Sequence, residues 1–179
     1  MKNETARIWD VTPSSAISAS SALESFSIFP AQTTAHVAQA RELFLEYAQS
    51  LGFSLCFQNF DKELAELPCD YAPPEGRLLL AEKEDQLAGC VALHKLGPDT
   101  CEMKRLYLRP QFRGQGLGRL LAERIVAEAR GIGYRHMRLD TVEPVMKDAV
   151  AMYYKLGFKD IAPYCDNPMP GAIYLELEL

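Results

Sequence analysis

The sequence predicts an α/β (α+β) protein with a mixed, mostly antiparallel twisted sheet and helices on both faces. Apolar residues recur at every second position in several segments after residue 77, and at every third or fourth position in others. These are the periods of strands and helices. Three strand-like segments come first, and strand and helix then alternate to the end of the chain. Consecutive strands favour antiparallel pairing, whereas the alternation favours helices that cover the sheet.

Two helices are predicted before the first strand of that series. The longer one covers residues 33–51, where Thr33 or Thr34 would cap the start and Gly52 would end the helix. A shorter helix is predicted over residues 61–67. The buried face of the longer helix is expected to consist of Val37, Ala40, Phe44, Tyr47, Ala48 and Leu51.

The middle of the chain predicts an antiparallel meander. Residues 77–96 form two strands around the polar turn "EKEDQ", and residues 101–110 form a third that Pro110 ends. The second half predicts a helix after the glycines near residue 116, a strand over 135–142, a helix over 145–156 and a last strand over 171–179. One stripe of the first of these helices carries Leu117, Leu120, Leu121, Ile125 and Ala129.

Composition narrows the class of protein. A chain of 179 residues, 48% of them hydrophobic, is long enough for one core, so we expect a single domain over residues 26–179. Residues 1–25, rich in Ser and Ala, are expected to form a flexible N-terminal arm. The net charge of −5 argues against nucleic acid as a partner. No apolar run approaches the roughly 20 residues that span a membrane.

The five cysteines stand at unrelated spacings, and none has a neighbouring cysteine or histidine suited to a zinc site. We therefore expect free thiols, a cytoplasmic location and no metal.

The stretch "FRGQGLGRLL" places three glycines at every second position where a helix is about to begin. The first N–H groups of a helix lack partners and attract anions, and glycines let a phosphate approach the main chain. Arg113 and Arg119 would add positive charge at the edges. The dinucleotide and P-loop patterns are both excluded, because residue 119 is Arg and no Gly-Lys-Ser/Thr follows. A glycine-rich tight turn without a ligand remains the alternative at this point.

The chain resembles the GNAT superfamily of acyl-CoA-dependent N-acyltransferases. Its signature Q/R-x-x-G-x-G/A is matched by Gln111, Gly114 and Gly116, and again by Arg113, Gly116 and Gly118. A second segment, "AVAMYYKLGF" at 149–158, is similar to the family's A-x-x-x-Y-x-K-x-G-F pattern. The resemblance implies acetyl-CoA as cosubstrate and direct acetyl transfer through a ternary complex. The implied cofactor-binding residues are Leu106, Tyr107, Leu108, Gln111, Arg113, Gly114, Gln115, Gly116, Leu117, Gly118 and Arg119.

The resemblance also implies catalytic roles. The strands at 101–109 and 135–142 would form a splayed pair that admits the pantetheine arm. Tyr153 occupies the position of the acid that protonates the departing thiolate, with Tyr154 as its neighbour and competitor. Glu102 stands where some members have a carboxylate base. A salt bridge with Lys104 and a base supplied by a water chain are the alternatives for that position.

One position departs from the family pattern. Many members have Asn seven residues before the helix tyrosine, where this chain has Met146. Asp148 or Glu143 is expected to cap the helix in its place.

The acceptor is the least defined part of the prediction. Family geometry implies a cleft bordered by Phe57, Tyr71, Tyr164 and Asn167, with Asp70 nearby, while His94 is expected to be packed or exposed rather than catalytic. The expected activity is N-acetylation of a primary amine of a small molecule. A peptide or protein N-acetyltransferase and a non-catalytic acyl-CoA sensor are the alternatives. The sequence does not decide whether the chain forms a homodimer.

Overall fold

A computed structural model describes residues 26–179, so the predicted arm over residues 1–25 lies outside the described residues. Seven strands form one sheet in the order β1-β2-β3-β4-β5-β7-β6. The elements, in chain order, are β1 (Phe26–Pro30), α1 (Thr34–Ser50), α2 (Phe60–Glu66), β2 (Arg77–Lys83), β3 (Gln86–Lys95), β4 (Thr100–Leu108), α3 (Leu117–Ile132), β5 (His136–Val142), α4 (Lys147–Lys155), β6 (Lys159–Asp160) and β7 (Ala172–Glu178).

The helices cover both faces of the sheet, as predicted. The segment "LLLA" (residues 78–81) of β2 contributes to two cores, one on each face of the sheet, because successive strand residues point to opposite faces. Leu78 and Leu80 enter the core beneath α1 and α2. Leu79 and Ala81 enter the core beneath α3 and α4. The continuous apolar run is therefore the signature of a strand that is buried on both sides.

All neighbouring strands are antiparallel except β4 and β5. This parallel pair is hydrogen-bonded only where Thr100–Glu102 lies beside His136–Arg138. Beyond that point β4 and β5 no longer pair with each other, so an opening forms between them in the middle of the sheet. The predicted splayed pair is confirmed.

A β-bulge in β4 accompanies this opening. The register between β3 and β4 shifts between Cys90 and Ala92, and neither Arg105 nor Leu106 has a ladder partner on β3. Arg105 has a φ of 57°, in the left-handed region that residues other than Gly seldom adopt. The bulge therefore releases main-chain groups of β4 from the sheet, next to the place where β4 and β5 separate.

Helix ends follow the predicted signals. The Thr33 hydroxyl accepts a hydrogen bond from the His36 N–H and caps α1, and Gly52 follows the helix with a φ of 74°. Leu43 also lies fully buried on this helix, although the predicted stripe omitted it.

Two strands and one helix start differ from the prediction. β1 and β6 were not predicted, and α4 begins at Lys147 rather than Val145. The expected cap by Asp148 or Glu143 is wrong, because Met146 occupies the N-cap position and no side chain caps the helix. A turn precedes α4, in which the N–H groups of Val145 and Met146 both bond the Val142 carbonyl.

Candidate active site

The glycine stretch forms a turn that leads directly into α3. Gly114 and Gly116 have φ values of 73° and 84°, which an L side chain would strain. Gly116 is the N-cap residue, no side chain caps the helix, and no acidic residue lies in its first turn. The first N–H groups of α3 therefore lack both a helical partner and a side-chain acceptor, which is the arrangement that binds anions.

Gly118 needs a different explanation, because it is helical and its φ is not positive. A Cβ at this position would meet only the Leu108 side chain, at an ordinary contact distance of 3.5 Å. Glycine inside a helix costs about 1 kcal/mol relative to alanine. The fold does not require that cost, so the bare main chain at Gly118 is better explained by a ligand that approaches it.

These glycines line a groove of about 670 Å³. Most predicted cofactor-binding residues lie together on its walls, with α1 residues opposite and the start of α4 beside them. Gln111 and Gln115 are not part of the lining. Leu117 is not part of the lining either, because it is fully buried in the core. The predicted residues that do line the groove are Leu106, Tyr107, Leu108, Arg113, Gly114, Gly116, Gly118 and Arg119.

The two arginines of the groove are held differently. The Nε of Arg113 donates to the Leu108 carbonyl at 3.0 Å, and its guanidinium lies 5.7 Å from the Tyr107 ring centre. Arg119 is largely exposed and pairs with Glu123 one turn later at 2.7 Å. Arg113 is therefore a fixed charge on the groove wall, whereas Arg119 is a surface charge at its edge.

Tyr153 and Tyr154 occupy opposite environments on α4. Tyr153 is buried against Phe158, with 5.6 Å between ring centres. Burial raises the pKa of its phenol, and the nearby Tyr47 raises it further. Tyr154 is 44% exposed, and its hydroxyl donates to Asp160 at 2.9 Å. Ala149 and Met152 of the same helix line the groove, so α4 presents Tyr153 behind the groove wall and Tyr154 to the surface.

Glu102 lies buried at the end of the paired part of β4 and β5. Its Oε1 accepts a hydrogen bond from the Tyr164 hydroxyl at 2.7 Å. Its Oε2 lies 2.6 Å from Nε2 of His94 and 3.4 Å from Nζ of Lys104. Burial raises the pKa of this carboxyl, but the hydrogen bond from His94 and the charge of Lys104 outweigh burial and hold the pKa below its ordinary value. The salt bridge between Glu102 and Lys104, which was the structural alternative to a catalytic base at this position, is present.

Asp140 of β5 forms the other side of this polar cluster. It accepts from the Asn167 amide at 2.7 Å and lies 4.0 Å from Nζ of Lys104. Glu102, Asp140 and Cys165 place potential metal-ligand atoms within 4.8 Å of one another. The ammonium of Lys104 already lies between the two carboxylates and offsets part of their charge.

Arg105 joins the bulge to α2. Its guanidinium is buried, donates to Glu63 at 2.9 and 2.5 Å, and donates to the Gln58 side chain at 3.0 Å. Burial lowers the pKa of this arginine, but the hydrogen bonds and charge of Glu63 reverse the direction and raise it. The same contacts hold the α2 segment over the opening in the sheet.

A second cavity, of about 260 Å³, lies on the α2 side of the sheet and is lined in part by His94 and Lys104. Tyr71 and Asp70 line it as well, and the Tyr71 hydroxyl donates to Glu63 at 2.7 Å. Asn167 instead lines a small space of about 20 Å³, which shares Gln58 with this cavity. This small space also shares Tyr47, Leu51 and Met146 with the groove.

Two predicted acceptor residues remain to be placed. Phe57 lies in the single-turn helix Cys56–Gln58, which precedes α2. Tyr164 does not line the cavity and reaches the site through Glu102.

Several site residues were not anticipated from the sequence. His94, Asp140, Gln58, Arg105 and Glu63 all belong to the polar cluster, and His94 was expected to be merely packed or exposed. The signal that could have identified His94 is the strand register, because His94 lies directly opposite Glu102 on β3 and β4.

Comparison with protein families and curated relatives agrees with this geometry. Residues 37–158 match the model of the "Acetyltransferase (GNAT) family". An uncharacterized N-acetyltransferase of Schizosaccharomyces pombe is 46% identical over 76% of this chain and 85% of its own length. An IAA acetyltransferase of Azospirillum brasilense is 34% identical over 60% of this chain and 71% of its own length.

Solved structures share the fold. An acetyltransferase from Streptococcus agalactiae superposes with a TM-score of 0.72 at 24% identity and covers 87% of this chain and 99% of its own. A putative acetyltransferase from Salmonella typhimurium, solved with acetyl-CoA, has a TM-score of 0.65 at 19% identity and covers 86% of this chain and 94% of its own. At these identities the likeness concerns the architecture alone.

Proposed function

This chain belongs to the GNAT acetyltransferase family and is an acetyl-CoA-dependent N-acetyltransferase; on that premise we propose that its acceptor is the primary amine of a small molecule. The observation that carries this proposal is the cavity of about 260 Å³ on the α2 side of the sheet. A short helical segment and Tyr71 form part of the wall of this partly open cavity, and its small volume suits a compact amine better than an extended peptide.

The groove supplies the site for the cosubstrate in this proposal. The uncapped start of α3 offers main-chain N–H groups to the pyrophosphate, and Arg113 adds a fixed positive charge. Acetyl-CoA contributes an acetyl group already activated as a thioester. The opening between β4 and β5 gives the pantetheine arm a route from the groove toward the polar cluster.

The bulge gives the main chain a role in charge stabilisation. Leu106 has no ladder partner on β3, and we propose its main-chain N–H as the donor beside the opening. A donor that is already oriented toward the thioester carbonyl stabilises the negative charge that develops on its oxygen during attack. Arg105 positions this donor, because its buried contacts with Glu63 and Gln58 hold the bulge.

Glu102 and Tyr153 handle the protons. The free lone pair on Oε1 of Glu102 accepts a proton from the amine, whose nitrogen forms the new bond to the carbonyl carbon while the C–S bond breaks. Tyr153 keeps its phenolic proton at neutral pH, because burial raises its pKa, and donates that proton to the departing sulfur. The products are the N-acetyl amide and free CoA.

A thiol-release screen tests the proposal. Amines, amino acids and peptides are offered with acetyl-, propionyl- and succinyl-CoA as donors. Thiol release with small primary amines and acetyl-CoA supports the proposal. Release with peptides alone contradicts it.

We also place the enzyme in the cytoplasm, because its five cysteines are all free.

A further inference from the structure

The charges around the acceptor cavity are unequal. Five carboxylates line or underlie the cavity and the small space that adjoins it, against three permanently charged cations. An excess of negative charge in a cleft attracts cations and repels anions. The carboxylates are Glu63, Glu66, Glu102, Asp70 and Asp140, and the cations are Lys62, Lys104 and Arg105.

Two of the cations, Lys104 in the lining of the cavity and Arg105 behind it, are already paired with carboxylates. Arg105 binds both carboxylate oxygens of Glu63. Lys104 lies between Glu102 and Asp140, at 3.4 and 4.0 Å. Within residues 26–179, no buried cation of this site is left without a carboxylate partner.

The third cation lies at the rim of the cavity. The side chain of Lys62 is 72% exposed and lies 4.0 Å from Glu66. It is therefore hydrated and cannot replace the water that a buried carboxylate of a substrate would lose.

From this arrangement we infer that the enzyme acetylates primary amines that carry no carboxylate beside the amino group, and that it discriminates against α-amino acids. The inference deepens the proposed function and rests on it. An ammonium or neutral amine entering the cavity meets carboxylates in its lining, and Glu102 lies buried behind His94 and Lys104 of that lining. A carboxylate on the adjacent carbon would lose its water and meet Glu102 and Asp140 without a partner.

The size and lining of the cavity define the rest of the substrate. A volume of about 260 Å³ corresponds to roughly nine water molecules at about 30 Å³ each. Tyr71 and His94 pack edge to face at its wall, with 5.8 Å between ring centres. A compact amine with a flat or aliphatic body fits these walls, and aryl-ethylamines are suitable probes.

The test compares three compounds that differ at one group: tyramine, tyrosine and tyrosine methyl ester. The same comparison is made on the best acceptor of the thiol-release screen. The rates are expressed per neutral amine, because the three amino groups ionise differently. We expect kcat/KM for tyramine to exceed that for tyrosine at least tenfold, and the methyl ester to recover most of the loss because it has the bulk but not the charge.

The Glu66→Gln/Asp70→Asn double variant removes two carboxylates of the cavity and leaves the partners of Lys104 and Arg105 in place. We expect the preference for tyramine over tyrosine to shrink severalfold. Asp61→Asn is the matched control, because Asp61 is exposed in the first turn of the same helix and does not line the cavity. Its preference is expected to equal that of the wild type.

The outcomes separate the two proposals. An α-amino acid used as well as its decarboxylated amine overturns the inference and leaves the proposed function intact. The same holds if the double variant keeps the full preference. A wild-type enzyme that acetylates no small amine overturns the proposed function, and this inference falls with it.

Discussion

Two adjacent tyrosines on α4 show how the position of a single residue on a helix determines its environment. Tyr153 lies behind the wall of the groove, whereas Tyr154 is exposed and bound to Asp160. Successive residues on a helix point about 100° apart. The Y-x-K-x-G-F alignment indicated Tyr153 as the acid, and that role stays a prediction, while the structure shows that the two side chains have different environments.

Replacing Tyr153 by Phe tests its role as the acid. We expect kcat to fall by about 10²-fold, the lower end of the contribution of general acids, while KM for acetyl-CoA changes less than twofold. Tyr154→Phe is the control and should retain wild-type kcat. Steady-state kinetics of both variants provide the measurement. A Tyr153→Phe enzyme with wild-type kcat would exclude this phenol as the proton donor.

The carboxyl of Glu102 links activity to acid stability. Because its pKa in the folded protein lies below the ordinary value of 4.5, it stabilises the fold above that pH, and the stabilisation is lost as the pH falls through the lowered pKa. We expect Glu102→Gln to weaken the decline of the unfolding free energy below about pH 4.5 and to lower kcat/KM at neutral pH. Urea unfolding from pH 3 to pH 7 measures the first effect. Equal acid sensitivity in both proteins would contradict the account.

Sequence reasoning identified Glu102 but not its partner His94. The two residues are eight positions apart, and they meet only because the turn between β3 and β4 sets the register that places them opposite each other. A one-residue change of register would point one of them to the other face of the sheet. Single residues of a site can therefore be predicted from motifs, whereas hydrogen bonds across strands depend on a register that the motifs do not specify.

Among the helices and strands, the start of α3 is the most informative feature. Gly118 and Gly131 stand near the two ends of this helix with neither a positive φ nor a close neighbour that excludes a side chain. Only Gly118 lines the groove. Glycine therefore destabilises the helix at both positions, but only Gly118 lies where the cosubstrate is expected to bind.

Gly118→Leu and Gly131→Leu form a matched pair. Each should raise the unfolding free energy by about 0.5–1 kcal/mol, because leucine favours the helix over glycine. Only Gly118→Leu should raise KM for acetyl-CoA, by at least tenfold, because its side chain would fill the groove. Chemical denaturation and steady-state kinetics check the two effects. An unchanged KM in Gly118→Leu would contradict phosphate binding at this helix start.

The buried pair between β4 and α2 makes a second prediction at this scale. Glu63→Gln leaves the Arg105 guanidinium buried without its counterion, and we expect a loss of about 3 kcal/mol in unfolding free energy. Arg124→Gln, which breaks an exposed pair with Glu128, should cost less than about 0.5 kcal/mol. Equilibrium urea unfolding measures both. Equal losses in the two variants would show that the buried pair does not hold the bulge.

Periodicity predicted most helices and strands, because a half-buried element repeats its apolar residues at a fixed spacing. The two strands that were not predicted lack such a repeat. β6 has two residues, too few for any period, and β1 reads "FSIFP" and gains its place by pairing with β2. The bulge at Arg105 was not predicted, because no glycine marks it in the sequence.

At the scale of the molecule, the opening between β4 and β5 organises the site. It lies between the groove at the start of α3 and the acceptor cavity beneath α2, and Glu102 stands at its edge. Residues from β3, β4, β5 and α2 therefore meet beside this opening. None of the helices within residues 26–179 is long and apolar enough to cross a membrane.

A crystal structure of the complex with acetyl-CoA would show how the cosubstrate binds. We expect pyrophosphate oxygens about 3 Å from main-chain nitrogens of residues 114–119, and the thioester carbonyl at the same distance from the Leu106 nitrogen. We also expect the acetyl group to enter the opening between β4 and β5. A pyrophosphate bound away from the start of α3, or a thioester outside that opening, would contradict these expectations.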